Sequence, residues 1–448
     1  MSLDLNSMLK SYESATKSVR ATFAAVLDAD SFVELDAFIT GENELGEPTG
    51  EGVVSGFASI GSKDVAVLAT NPDVFDGGIS ALGAKKAERI ISRAIESGLP
   101  LVSFIDTTGA RVLEGIDALA GFDKILAGYA RAYGQIPVIT VVKGKCFGML
   151  TYLSGMSDAF ICYEKAEVAT TSPLILSTSG SISCLASDIA KNAGFVTNIV
   201  KDDAECKKVI DRLVSLLNDE MADNTDDANR VCKGLSASSD VRSVLNEAFD
   251  KNSSIEMKAS SAIEALTAFA SLDGVPVAVV GVDGKLTAKG ASKITDFITT
   301  AGSMGMPIVT LVNSTGIVAD ANQESCCLVR NVSDLIYAYN NVSVQRIALV
   351  MGKAVGAAYS ILASRSINDF CLAWNGAYIA PFDGASAARL TEGEEIAKAK
   401  DVEAAEKKFA SIYEADNSAL SSARKGYLDN VILPNHTRQY LIASLRAI

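Results

Sequence analysis

Four glycine-bearing segments hold the residues best suited to chemistry, and the chemistry they suit is that of main-chain amides. They are Thr108-Gly109-Ala110-Arg111 and Gly144-Lys-Cys-Phe-Gly148-Met149 in the first half, and Thr315-Gly316-Ile317 and Gly352-Lys-Ala-Val-Gly356-Ala357-Ala358-Tyr359 in the second. Each follows an apolar run that reads as a buried strand, the place where α/β folds collect ligands. Small residues let a backbone approach a ligand, and N–H groups at a helix start can hold an oxygen on which negative charge develops. One glycine turn after a strand is explained by packing as often as by binding; four at matching places favour binding.

Side-chain chemistry is poorly provided for. The single histidine, His436, lies in Pro434-Asn-His-Thr-Arg438, far from any nucleophile-like Ser or Cys motif. A Ser-His-Asp triad, a multi-His zinc site and a histidine proton shuttle are therefore not expected, and His436 reads as a surface or helix-capping residue. No metal site is read. The eight cysteines form no CxxC pair and sit mostly in apolar runs, which reads as a reducing, cytoplasmic setting. A formal charge of −14 without a Lys/Arg block argues against nucleic acid as partner. Lys143, Lys145 and Lys353 flank the glycine turns and are either solvated or available to a phosphate or carboxyl group.

The elements that must position these turns come in duplicate. Gly98-Leu-Pro-Leu-Val-Ser-Phe-Ile-Asp-Thr-Thr-Gly109 matches Gly305-Met-Pro-Ile-Val-Thr-Leu-Val-Asn-Ser-Thr-Gly316, and Val142-Lys-Gly-Lys-Cys-Phe-Gly148 matches Val350-Met-Gly-Lys-Ala-Val-Gly356. Each copy reads as a β-rich start, a helix (84–97; 291–303), a buried strand (101–105; 308–312), a glycine turn, a second helix (117–133; 325–340), another strand (138–142; 346–351) and a glycine-rich turn. That order predicts parallel βαβ units. The polar, turn-prone stretch 218–240 places the boundary between domains 1–225 and 226–448. Residues 1–20 lack an apolar signal-peptide core, and no apolar stretch approaches the ~20 residues that span a bilayer, so a soluble chain is expected, with docking on a membrane partner left open.

Longer motifs carry a family resemblance. Phe23 to Glu34, Gly50-Glu-Gly-Val-Val-Ser-Gly56, Asp106-Thr-Thr-Gly-Ala-Arg-Val-Leu-Glu-Gly-Ile-Asp-Ala-Leu-Ala-Gly121, Gln323-Glu324, Gly352 to Tyr359, Ala373-Trp374 and Gly426 to Arg438 resemble segments of biotin-dependent acyl-CoA carboxyltransferases. That family includes propionyl-CoA carboxylase β subunits, methylmalonyl-CoA carboxyltransferases and decarboxylase α subunits. The resemblance implies two tandem crotonase-like domains, with CoA mainly on the N-terminal one and biotin mainly at the C-terminal one. It also implies two oxyanion holes of backbone amides. Gly148 and Met149 would serve the acyl-CoA enolate, and Gly356, Ala357 and Ala358 the biotin ureido oxygen, while Gly109, Ala110, Arg111, Gly316 and Ile317 line the substrate site. Biotin would arrive on a separate carrier protein, since no Met-Lys-Met attachment motif occurs. The implied partners are that carrier, a biotin carboxylase or membrane decarboxylase subunit, and further copies of the chain in a hexamer.

Several positions depart from the family pattern: Thr108 and Met149 stand for glycines, Phe147 for a small residue, and Thr315 and Asn375 for prolines. These leave two alternatives open, a catalytically weakened structural subunit and a biotin-independent crotonase-type CoA enzyme.

Overall fold

The computed structural model describes residues 5–40, 51–176, 183–218, 221, 225–318, 320–325 and 327–447. Gly50, Cys326 and most of 219–224 lie outside that range. The chain divides into two compact units, Met1–Asn218 and Asp219–Ile448.

The first unit is built on an eight-stranded sheet: β1 (Val33–Leu35), β2 (Val53–Ile60), β3 (Lys63–Thr70), β4 (Leu101–Thr107), β5 (Val138–Phe147), β6 (Ala159–Tyr163), β7 (Glu167–Ala169) and β8 (Asn198–Val200). Their order is β1-β2-β3-β4-β5-β6-β8, with β7 beside the far end of β5. The second unit repeats it with β9 (Ile255–Glu256), β10 (Ala265–Leu272), β11 (Val275–Leu286), β12 (Ile308–Ile317), β13 (Arg346–Val355), β14 (Phe370–Trp374), β15 (Tyr378–Ala380) and β16 (Asn430–Ile432). The order β9-β10-β11-β12-β13-β14-β16, with β15 beside β13, is the same topology. From β3 to β8, and from β11 to β16, the pairing is parallel as the repeated pattern predicts. Each unit also opens with an antiparallel hairpin, β2–β3 and β10–β11, whose first strand the sequence pattern does not reveal.

Continuous apolar runs make the central strands buried on both faces, as parallel strands require. Val102, Ile105, Val138 and Val142 are buried, as are Ile308, Val312, Ile347 and Leu349. Helix Ala81–Ser97 starts where the Ser80 side chain accepts the Gly83 N–H and stops at left-handed Gly98. Its Ile90, Ile91 and Ala94 are buried, and fully burying side chains of the size of Ile contributes about 1.5–3 kcal/mol each. Its duplicate, Ala288–Ser303, is capped by Thr287 and buries Ile294, Ile298 and Ala301. The second helices, Ile116–Ala132 and Leu328–Asn341, each bury one tyrosine hydroxyl on a strand hydroxyl: Tyr129 donates to Ser103, and Tyr339 pairs with Thr310 at 3.0 Å.

Two details differ from the sequence reading. The strands expected to end at 142 and 351 continue to Phe147 and Val355, so Gly144 and Gly352 lie inside strands rather than in turns. The helices after these strands are not regular α-helices. Gly148–Met156 is a nine-residue 3₁₀ helix, whereas Tyr359–Ala363 is wound as a π-helix. Eleven positions separate Gly148 from Ala159, where β6 begins, and fourteen separate Gly356 from Phe370, where β14 begins. The shorter connection uses the helix type with the longer rise, ~2.0 Å per residue against ~1.5 Å in an α-helix.

Candidate functional site

Both units build their glycine turns with one device. Strands β4 and β5 run in register from Leu101↔Val138 to Ile105↔Val142, and the next pair is Thr107↔Cys146. Two residues of advance on β4 thus face four on β5, and Lys143-Gly144-Lys145 bulge out. In the second unit the register passes from Val312↔Val350 to Ser314↔Ala354, and Met351-Gly352-Lys353 bulge. A bulge of this kind bends its strand and re-aims the residues beyond it. Residues Ile139 to Val142 pair with β6, whereas Lys145 to Phe147 pair with β7.

A polar side chain fills each bulge. The Asp106 carboxylate occupies the space beside Gly144, where a Cβ would lie 2.4 Å from both its oxygens, and accepts the Lys145 N–H at 2.9 Å. Asn313 does the same in the second unit: a Cβ on Gly352 would lie 2.3 Å from its Oδ1, which accepts the Lys353 N–H at 3.1 Å. Burial pushes the Asp106 carboxyl up from its ordinary value, and the Lys145 N–H opposes that rise.

The re-aimed strand end meets the first glycine turn. A Cβ on Gly109 would stand 3.6 Å from the Phe147 carbonyl oxygen, and one on Gly316 would stand 3.7 Å from that of Val355. Gly109 (φ 112°) and Gly316 (φ 115°) have backbone angles that side-chain-bearing residues rarely adopt. The turn's hydrogen bonds fix which amides remain for a ligand. Ile79 N–H donates to Gly109 O at 2.9 Å, Arg111 N–H donates to Ile79 O at 3.1 Å, and Gly109 N–H donates to Thr107 Oγ1 at 3.0 Å. Ala110, between them, directs its own N–H away from Ile79 and is exposed. In the second unit Val318 N–H donates to Leu286 O at 2.9 Å and Gly316 N–H to Ser314 Oγ at 3.3 Å, so Ile317 holds the place of Ala110.

Across from these residues start the helices after β5 and β13. The first N–H groups of a helix find no acceptor within it. Gly148 and Met149 open the 3₁₀ helix, and both are half-buried. At the second turn the Gly356 N–H donates to Ala380 O at 2.9 Å, so the donors offered there are Ala357, which is exposed, and Ala358, which is buried. The structure therefore brings together Gly109, Ala110, Gly148 and Met149 in one unit, and Gly316, Ile317, Gly356, Ala357 and Ala358 in the other.

Arg111, expected to line the substrate site, is engaged by groups of its own unit. Its Nη2 pairs with the buried Glu51 at 2.8 Å, its Nε donates to Gly78 O at 3.1 Å, and its guanidinium lies 4.6 Å from the Phe75 ring centre. Beyond the turns, Glu114 accepts the Ala81 N–H at 2.8 Å and Gln323 accepts the Ala288 N–H at 2.9 Å, clasping each loop to the start of the neighbouring helix.

Other candidates are placed more plainly. Lys143 pairs with Asp203 at 2.8 Å and donates to Thr22 Oγ1 at 3.1 Å. His436 ends the 3₁₀ turn before the last helix, its Nδ1 2.7 Å from Gln439 Oε1. Trp374 is core, with Nε1 donating to Thr437 Oγ1 at 3.0 Å. Tyr152, within the 3₁₀ helix, is 55% exposed. A cavity of about 480 Å³ lies under helix Lys17–Val26, lined by Val19, Thr22, Phe23, Thr70, Asp106 and Lys143. The bulge-filling role of Asp106 and Asn313 and the clasping role of Glu114 and Gln323 are not read from sequence, although Asp106, Glu114 and Gln323 lie in the family-like motifs and each pair sits near the repeat offset.

Comparison with known proteins bears on this geometry. A solved structure of the transcarboxylase 12S hexamer with methylmalonyl-coenzyme A and methylmalonic acid bound superimposes with a TM-score of 0.91 at 24% identity, covering 99% of this chain and 93% of that one. Among curated proteins, the methylmalonyl-CoA carboxyltransferase 12S subunit of Propionibacterium freudenreichii is 26% identical, over 97% of this chain and 89% of its own length. The propionyl-CoA carboxylase beta chain of Saccharopolyspora erythraea is also 26% identical, over 98% and 89%. The methylmalonyl-CoA decarboxylase subunit alpha of Veillonella parvula is 28% identical, over 97% and 91%. The carboxyl transferase domain model matches residues 10–448, and the chain therefore belongs to the carboxyl transferase domain family.

Proposed function

We propose that the chain transfers a carboxyl group between biotin on a separate carrier protein and a short acyl-CoA. The observation that carries the reading is the duplicated pair of turns, each followed by a helix start whose first amides have no acceptor within the helix: Ala110 with Met149, and Ile317 with Ala357 and Ala358. The first set suits a thioester oxygen that gains charge as its α-carbon loses a proton, and the second suits the ureido oxygen of biotin. Bound biotin would supply the carboxyl group and a ring nitrogen able to take the α-proton. The chain's own residues orient both oxygens and stabilise charge on them. Each such donor is worth about 10²–10³ in rate in well-studied enzymes.

In this reading residues 1–225 form the CoA side and 226–448 the biotin side, Arg111 holds the Gly109 turn in place, and the enzyme works in the cytoplasm as an oligomer beside a carrier protein. The alternative of a weakened subunit finds little support in the substituted glycines. Positive φ falls on Gly109 and Gly148, while Thr108 and Met149 have ordinary negative φ, so their side chains add no backbone strain. The test is conversion of methylmalonyl-CoA to propionyl-CoA by the purified chain, with and without free biotin. Conversion that depends on biotin is expected; no conversion, together with no acyl-CoA binding by calorimetry, would overturn the proposal.

A further inference from the structure

The Asp106 side chain sits at the bulge that re-aims β5 toward the first turn, and it has a built-in comparison in the second unit. Its oxygens fill the volume a side chain on Gly144 would need and receive the Lys145 N–H, so they stabilise the two-residue bulge of β5. Its own N–H donates to Thr70 Oγ1 at 2.6 Å, which ties β4 back to β3 at the same level. Downstream of the bulge, only Cys146 separates Lys145 from Phe147, whose carbonyl packs on Gly109, and Gly148 comes directly after. A slip of the bulge would therefore displace the Gly148 and Met149 amides relative to that of Ala110. In the second unit the same bulge is filled by Asn313, which offers an oxygen of the same shape without a charge and whose Nδ2 donates to Asp283 at 2.8 Å. What the two copies share is an acceptor oxygen against a glycine. They do not share a titrating group.

We propose that Asp106 is a positioning residue, which holds the first pair of turns at catalytic spacing through the Lys145 amide and needs its acceptor oxygen but not its charge. This rests on the reading of those turns as the carboxyl-transfer site. The comparison is between the full-length chain and its Asp106→Asn and Asp106→Ala variants. Two measurements are made: kcat and KM for biotin-dependent decarboxylation of methylmalonyl-CoA, and amide hydrogen exchange over residues 143–149. Asp106→Asn should keep kcat within about threefold and leave its pH profile unchanged, whereas Asp106→Ala should lose about tenfold or more in kcat with little change in KM, as misplaced transition-state donors do. Exchange across 143–149 should quicken in Asp106→Ala alone. Equal loss in both variants would show that charge is required and overturn the inference, as would wild-type kinetics and exchange in Asp106→Ala. If Asp106→Ala fails to fold, Asp106→Asn still decides: loss of kcat, or loss of an acid limb from the pH profile, refutes the proposal. If the wild type shows no transfer, the functional reading fails by itself, and the exchange data alone judge the role of Asp106.

Discussion

Lys293 is buried at 3% exposure in the second unit, its Nζ donating to the carbonyl oxygens of Ser261 at 2.9 Å and Ala265 at 2.6 Å. Neutral lysine can make both bonds, so burial penalises the charge more than the contact, and it pushes the pKa from 10.5 down to about 8. The unfolded chain then binds a proton that the folded chain has released between about pH 8 and about pH 10.5, and stability must rise with pH across that window. A fall from 10.5 to about 8, at ~1.36 kcal/mol for each tenfold change in proton affinity, corresponds to about 3 kcal/mol. Replacing Lys293 with Met keeps the aliphatic stem and removes the titration. The protein's single tryptophan, Trp374, is 1% exposed in the same unit, so its fluorescence reports the relevant transition in urea. Cys371 and Tyr339, whose pKa values burial raises, work in the opposite direction at alkaline pH but are present in both proteins and cancel. The expected result is that wild type gains about 3 kcal/mol on Lys293→Met from about pH 7 to about pH 10.5. A gap between the two that does not change with pH, or that closes as pH rises, would refute the argument.

Gly109→Ala should cost activity more than stability, since strain of about 1–3 kcal/mol at φ 112° is relieved by tilting the Ala110 amide; kcat falling less than about threefold in steady-state assay would contradict this. Arg438 is fully buried and paired with Asp250 at 2.7 Å, so Arg438→Ala should lose about 3–5 kcal/mol of second-unit stability in urea melts, and a loss under about 1 kcal/mol would count against the pair. Gly144→Ala puts a methyl 2.4 Å from the Asp106 oxygens, and removing the obstacle in Gly144→Ala with Asp106→Gly should recover part of the lost thermal stability; strictly additive losses would count against the clash.

The repeat made much of this fold legible. Strand and glycine spacing located the central strands, both helix pairs and the turns at Gly109 and Gly316, because parallel βαβ units write their order into apolar runs. The first strand of each hairpin and the bulges were not legible. A bulge leaves no compositional mark of its own, and Gly144 and Gly352 read equally well as turn residues until the strand is seen to continue through them. The open amides of Ala110 and Ile317 depend on which neighbours Ile79 and Leu286 engage, a fact of three-dimensional register that no single segment states. Lys86 and Lys293, 207 positions apart and buried in matching helices, could have been paired from the repeat offset alone.

The unequal winding after Gly148 and Gly356 has a practical bearing on protein engineering. The 3₁₀ and π segments accompany a three-residue difference in length, so loop grafts or deletions beyond Met149 and beyond Ala358 should register as altered coiling rather than as movement of the groups at their base. Residues 150–156 and 359–363 are thus places where chain length can be edited while the proposed amide donors before them are left alone.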